Sequence, residues 1–144
     1  MINKFTEFEN IIKYKFNSKT ILKRCLTHKS FDININNEKL EFFLDRVLGL
    51  IISKNLLLKY PKENEGIIDK KYANLVNKKK CAEIASVINL KRYMLLGQNY
   101  KKNDQKHEKI SGDCLEALIG AIFIDGSLKN AEKFILNYWE DSLQ

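Results

Sequence analysis

Asn37-Glu38-Lys39-Leu40-Glu41-Phe42-Phe43-Leu44-Asp45-Arg46-Val47-Leu48-Gly49 is the stretch on which the reading of this chain turns. At about 100° per residue it forms a helix that gathers Glu38, Glu41 and Asp45 within an arc of roughly 60°. Leu40, Phe43, Leu44, Val47, Leu48 and Ile51 cover the opposite side. Phe42 lies on the acidic flank, and Lys39 and Arg46 edge it. Glu41 and Asp45 stand one helical turn apart, a like-charge spacing that costs an isolated helix a few tenths of a kcal/mol. Such a stripe is either a solvated face neutralised by Lys39 and Arg46 or a set of metal ligands. Taken alone, this stretch weighs the two evenly.

A second stretch, Gly112-Asp113-Cys114-Leu115-Glu116-Ala117-Leu118-Ile119-Gly120-Ala121, separates them. Asp113 and Glu116 share a helical face with Ala117 and Gly120, while Leu115, Leu118, Ile119 and Ile122 cover the remainder. A helix apolar nearly all round is buried, and carboxylates in a core are costly unless paired or holding metal. Gly120 costs about 1 kcal/mol relative to Ala in a helix interior. A small-residue face beside two acids therefore points to close approach by another helix or a ligand. No basic residue occurs between Asp113 and Ile124, so the stretch offers its acids no salt-bridge partner of its own. The metal reading is favoured. Mg²⁺ takes oxygen ligands from a few carboxylates plus water and substrate phosphate. Pairs of such ions about 4 Å apart clamp the attacking and leaving oxygens of phosphoryl displacement. Four clustered acids do not all ionise comfortably without a cation.

Further segments fall in a consistent order: Leu26-Thr27-His28-Lys29-Ser30-Phe31, then the Asn37–Gly49 stretch, then Tyr60-Pro61 through Glu65-Gly66, Leu75-Val76, and Asp113 to Gly126. Together they resemble the ribonuclease III family over nearly the whole chain. The resemblance implies an all-α, ribonuclease III-like helical bundle that hydrolyses double-stranded RNA with Mg²⁺ (Mn²⁺ as a substitute), leaving 5′-phosphate and 3′-hydroxyl ends. It implies that Glu41, Asp45, Asp113 and Glu116 are the metal-site acids, with Asp45 and Glu116 catalytic and Glu116 the most direct ligand. Glu38 and Glu65 become supporting acids near the metal or the scissile phosphate. It also implies a symmetric homodimer, one site over each strand, with Phe42 or Phe43 reaching toward the partner.

Three departures from the family pattern matter. Lys39 stands where an Arg is usual, replacing a bidentate fork with a point charge. Leu44 stands where the family signature has glycine, immediately before Asp45. Leu44 lies in the apolar arc and favours helix more than Gly does. If close helix approach needs the glycine, however, a leucine overpacks the site at a cost of roughly 1–3 kcal/mol and tilts Asp45 off its metal. The third departure is the double-stranded-RNA-binding domain that family members commonly carry. The expectation is a single nuclease domain over residues 1–144 without it.

Composition agrees with one compact unit. At 144 residues with 44% hydrophobic, one proline and six glycines, the chain has no internal repeat or low-complexity linker. Apolar runs such as Val47 to Ile52 are far short of the roughly 20 residues needed to span a bilayer. Residues 1–16 alternate charge with Phe5, Phe8, Ile11, Ile12 and Phe16, an amphipathic pattern rather than a signal peptide. The three cysteines, Cys25, Cys81 and Cys114, form no C-x-x-C pair; buried reduced thiols in a cytoplasmic protein are expected. His28 reads as a structural hydrogen-bonder and His107 as loop surface. Helices are predicted over 4–16, 18–29, 38–59, 65–76, 78–88, 108–124 and 130–142, with Pro61 ending the third and 97–109 a polar loop.

A net charge of +7 from 25 basic and 18 acidic residues suits a polyanionic partner. Candidate RNA-binding lysines are Lys70, Lys71, Lys78, Lys79, Lys80, Lys101 and Lys102. Few aromatics interleave them, which favours duplex RNA, read by shape and backbone contacts, over single strands, which need stacking. The leading reading is an endoribonuclease acting on ribosomal and other RNA precursors, with no membrane partner and no small-molecule cofactor. The alternative is a catalytically silent relative that binds structured RNA, for which Leu44 is the one argument. A metal-dependent hydrolase of small phosphates is disfavoured by the basic surface.

Overall fold

The computed structural model describes residues 3–101 and 107–143. Among the described residues eight α-helices follow in order: α1 (Lys4–Ile12), α2 (Lys19–Leu26), α3 (Glu38–Lys59), α4 (Glu65–Val76), α5 (Lys78–Val87), α6 (Gln98–Lys101), α7 (His107–Asp125) and α8 (Leu128–Leu143). A 3₁₀ turn, Leu90–Tyr93, follows α5. Among the described residues there is no strand, only an isolated parallel bridge between Thr27 and Leu95. The all-α expectation holds, and no described helix is long and apolar enough to cross a membrane.

Polar side chains start the helices. Asn3, Ser18, Asn64 and Asn77 accept hydrogen bonds from the backbone N–H three residues on, at 2.8, 3.3, 3.0 and 2.8 Å respectively. These satisfy amide donors that a helix start leaves open. Asn77 ends α4 and caps α5, so the two helices meet at a single residue.

Several predicted boundaries move. The first helix stops at Ile12 rather than residue 16, because Lys13 takes a left-handed conformation (φ 58°). The turn is held by buried Glu9, whose carboxylate accepts from Phe16 N–H at 2.6 Å and Lys19 Nζ at 2.7 Å. The second helix stops at Leu26 rather than 29: Leu26 O accepts from Leu95 N–H and Leu95 O from His28 N–H, pulling the chain into the bridge. The predicted 97–109 loop contains α6 and the first turn of α7. His107, read as loop surface, is instead buried at the start of α7 with Nε2 bonded to the Tyr100 carbonyl. The last helix begins at Leu128, two residues early.

The apolar α7 is the centre of the core; Cys114, Leu115, Leu118, Ile119 and Ile122 are fully enclosed. Helices α2, α3, α5 and α8 all pack on it. Trp139 of α8 is fully buried and donates its indole N–H to Leu75 O at 2.8 Å, tying α8 to the end of α4. Asp125 closes α7 onto the N-terminal segment, accepting from Tyr14 OH, Asn17 N–H and Ser18 N–H at 2.7–2.8 Å.

The crossing of α3 and α7 is set at Gly120. A Cβ there would stand 2.8 Å from Leu40 O and 3.8 Å from Leu44 Cβ. Leu44 itself is fully buried in the core. The leucine is therefore accommodated as core filling, and the glycine that allows close helix approach lies across from it on α7. Leu44→Ala is expected to lower stability by about 2–5 kcal/mol through cavity formation. Gly120→Ala should cost roughly 1–3 kcal/mol by forcing α3 and α7 apart. Urea unfolding followed by far-UV circular dichroism measures both.

Candidate metal centre

Two local devices aim α3. Asn37, buried just before its first turn, donates its side-chain amide to Cys25 O at 3.2 Å and its backbone N–H to Thr27 O at 3.0 Å. Asn36 Oδ1 accepts from Glu38 N–H at 3.1 Å. The end of α2 thus grips the start of α3, and the Cys114 thiol on α7 donates to the same Cys25 carbonyl at 3.3 Å. Helices α2, α3 and α7 are registered through a single backbone oxygen.

That register brings Glu41, Asp113 and Glu116 together. One carboxylate oxygen from each lies within 4.8 Å of the others. Glu116 is the buried member, at 5% exposure, and Glu41 and Asp113 are half-buried. Asp45 lies outside this trio. It is exposed, one turn beyond Glu41, on the wall of a cleft of about 820 Å³ that Glu41 also lines. That cleft is lined also by His28, Lys29, Glu38, Phe42, Tyr100, Lys109 and Asp113.

Glu38 lines it near the rim, 3.5 Å from Lys29 Nζ. Glu65, the first residue of α4, is exposed in a neighbouring groove that Asp45 also lines, together with Arg46, Asp69 and Tyr72. Of the six predicted acids, three therefore converge, Asp45 and Glu38 share their cleft, and Glu65 lies apart.

Burial and mutual repulsion govern the protons. Desolvation, then the Asp45 charge, raise the Glu116 pKa from the usual 4.5 to about 7, with Lys78 opposing. Desolvation and the Asp113 charge raise that of Glu41. The Cys81 thiol on α5 is pushed up to about 12 by burial and by the Glu116 carboxylate that it hydrogen-bonds. Three close carboxylate oxygens under these pressures match the donor set of a hard divalent cation, which removes the repulsion. The residues present fit such an ion.

Two features here had no local signal in the sequence. Lys78, numbered among the RNA lysines, places Nζ 3.2 Å from Asp113 Oδ1. Asp113 therefore has a basic partner, supplied by α5 rather than by its own helix. His28 also reaches the cleft: its Nδ1 accepts from Ser30 N–H at 3.1 Å and lies 2.7 Å from Ser30 Oγ. Its ring packs on Tyr100 at 4.9 Å, and burial lowers its pKa.

The remaining lysines scatter. Lys71 stacks over Tyr60 at 4.4 Å, and Lys80 donates to Ser142 Oγ at 2.6 Å. Lys70 and Lys79 are exposed. Lys101 ends α6, and Lys102 lies outside the described residues.

A carboxyl whose pKa is raised on folding stabilises the fold below its unfolded value and loses that contribution as pH rises through the folded value. The metal-free protein should therefore lose melting temperature as pH rises from about 4.5 through about 7. Glu116→Gln should flatten this slope, and Mg²⁺ should restore stability at the upper end. Calorimetric melts in a chelating buffer, then with Mg²⁺, provide the check.

Comparison with known proteins places this architecture. The profile of the Ribonuclease-III-like family matches residues 18–142. Ribonuclease 3 of Pelagibacter ubique is 53% identical over 137 residues, covering 95% of this chain and 62% of that protein. Ribonuclease 3 of Campylobacter fetus is 39% identical over 140 residues, covering 96% of this chain and 63% of that protein. The chain thus spans somewhat under two-thirds of the length of these relatives. The nuclease domain of ribonuclease III from Campylobacter jejuni superimposes with a TM-score of 0.91 at 37% identity, covering 96% of this chain and 98% of that one. That structure is described as flexible in a region involved in dimer formation. Because the matched span runs from α2 through α8 and includes every acid of the cleft, this chain belongs to the ribonuclease III-like family.

Proposed function

We propose that this chain is a magnesium-dependent endoribonuclease that hydrolyses double-stranded RNA to 5′-phosphate and 3′-hydroxyl ends. Mn²⁺ substitutes for Mg²⁺, and the substrates are precursors of ribosomal and other RNA. The observation that carries the reading is the convergence of Glu41, Asp113 and Glu116 beside a lysine-rimmed cleft, in a chain of this family. A binding module has no use for buried acids facing RNA phosphates. In this reading residues 1–144 form one nuclease domain, which suits the single continuous core.

Glu116, Glu41 and Asp113 would hold the cation, with exposed Asp45 as a fourth acid on the cleft wall. A divalent ion held there would supply charge neutralisation at the scissile phosphate and a lowered pKa for water. Asp45 and Glu116 orient the attacking water by accepting its hydrogen bonds. Lys29 and Lys109 on the cleft lining face the RNA backbone. Glu38 steadies Lys29, while Glu65 supports from the adjoining groove. Lys70, Lys71, Lys79, Lys80, Lys101 and Lys102 widen the positive field, which attracts a duplex without reading its sequence.

The silent alternative rests on Leu44; its full burial as core filling opposite Gly120 supports the enzyme reading, while Asp45 beside it stands outside the converging trio. Three buried free thiols suit the reducing cytoplasm.

Assembly as a homodimer is supported by Phe42, 64% exposed on the cleft lining with the Arg46 guanidinium 4.1 Å over its ring. Phe43 turns inward against Phe123 at 5.2 Å, so Phe42 is the residue available to a second copy.

A labelled long RNA duplex at low salt should be cut into short duplexes in Mg²⁺ or Mn²⁺. Glu116→Gln should lower the rate by about a hundredfold or more while leaving the fold intact. Binding without cutting in either metal would overturn the enzyme reading. Sedimentation velocity should show a dimer that Phe42→Ser shifts toward monomer.

A further inference from the structure

Lys78 is held at the acid cluster by backbone packing as well as by charge. It is the first residue of α5, directly after the Asn77 cap. Gly112 on α7 faces that first turn: a Cβ there would press on Ala82 N at 3.3 Å and meet Lys78 O at an ordinary contact of 3.5 Å. The missing side chain lets α7 pass close to the start of α5, one residue before Asp113. From there Lys78 Nζ reaches Asp113 Oδ1 at 3.2 Å, and its charge acts on Glu116 and Glu41 as well. All three acids of the trio thus feel one ammonium, supplied by the chain itself.

Resting on the metal-centre reading above, we propose that Lys78 is a positioning residue that serves as the centre's built-in cation. It holds Asp113 in place before the divalent ion arrives, yields Asp113 to the ion, and then offers its ammonium to a substrate phosphate. The chemistry suits exchange. A lysine ammonium is a compact point charge on a flexible stem, able to swing without breaking a bidentate fork. Its side chain is 68% exposed, so leaving Asp113 uncovers little apolar surface. An exposed single pair of this kind is weak, whereas a divalent ion engages all three carboxylates at once. The swing leaves the lysine beside Asp113, which lines the cleft where the backbone of an RNA duplex would run.

The test is Mn²⁺ binding to the full chain without RNA, followed by calorimetry and by the loss of the free-ion paramagnetic resonance signal. Lys78→Met should bind Mn²⁺ several-fold more tightly than the unsubstituted protein at low salt, because a competing positive charge has been removed. Lys78→Arg, which keeps the charge, should bind no more tightly than the unsubstituted protein. With Ca²⁺ in place of Mg²⁺, Lys78→Met should bind duplex RNA several-fold more weakly. Equal Mn²⁺ affinity in Lys78→Met and the unsubstituted protein would overturn the proposal while leaving the metal centre standing. Absence of Mn²⁺ binding in both would overturn the metal centre itself. If Lys78→Met fails to fold, Lys78→Gln carries the same comparison.

Discussion

The distance between α3 and α7 is the constraint on which this structure depends. Helices packed through ordinary side chains stand 8–10 Å apart, and glycine at a crossing allows closer approach. Here Gly120 faces the Leu40 carbonyl with no room for a Cβ. That proximity carries the Glu41 carboxylate of α3 to the Asp113 and Glu116 carboxylates of α7. Gly112 repeats the device one helix over, bringing α5 to the same place. The acid cluster depends on Gly120, and the approach of α5 at Gly112 adds the Lys78 ammonium to it.

Holding carboxylates this close is unfavourable in itself. Burial and like charge raise the pKa values of Glu116 and Glu41, and the Lys78 ammonium only partly offsets the repulsion. The rest of the fold carries the load: a core running through α7, the Asn37 pin between α2 and α3, and the Asp125 clasp on the N-terminal segment. In the proposed reading, a divalent cation would relieve that strain.

Much of this was legible in the residues. The spacing of Glu38, Glu41 and Asp45, and of Asp113 and Glu116, placed acids on helix faces because a helix repeats every 3.6 residues whatever surrounds it. The nearly all-apolar character of α7 announced its burial, and Gly120 announced a close neighbour. Local capping chemistry set several helix starts, since an Asn or Ser side chain satisfies amides only three residues away. The end of α1 was hidden, because it depends on Glu9 bonding across the turn to Phe16 and Lys19. The end of α2 was hidden too, because it depends on Leu95, far along the chain.

What the sequence by itself determined is the helical class, the family, and which acids share a face, for these follow from local periodicity and ordered motifs. Only the tertiary structure decided which acids meet. It drew Glu41, Asp113 and Glu116 into one group, left Asp45 on the cleft wall and set Glu65 in a neighbouring groove. It likewise decided that Leu44 is core, that Phe42 faces outward, and that Lys78 belongs to Asp113. The physical reason is common to all of these. A side chain's partners across helices are set by the distance and register of packing, and packing is a property of the whole core rather than of any one segment.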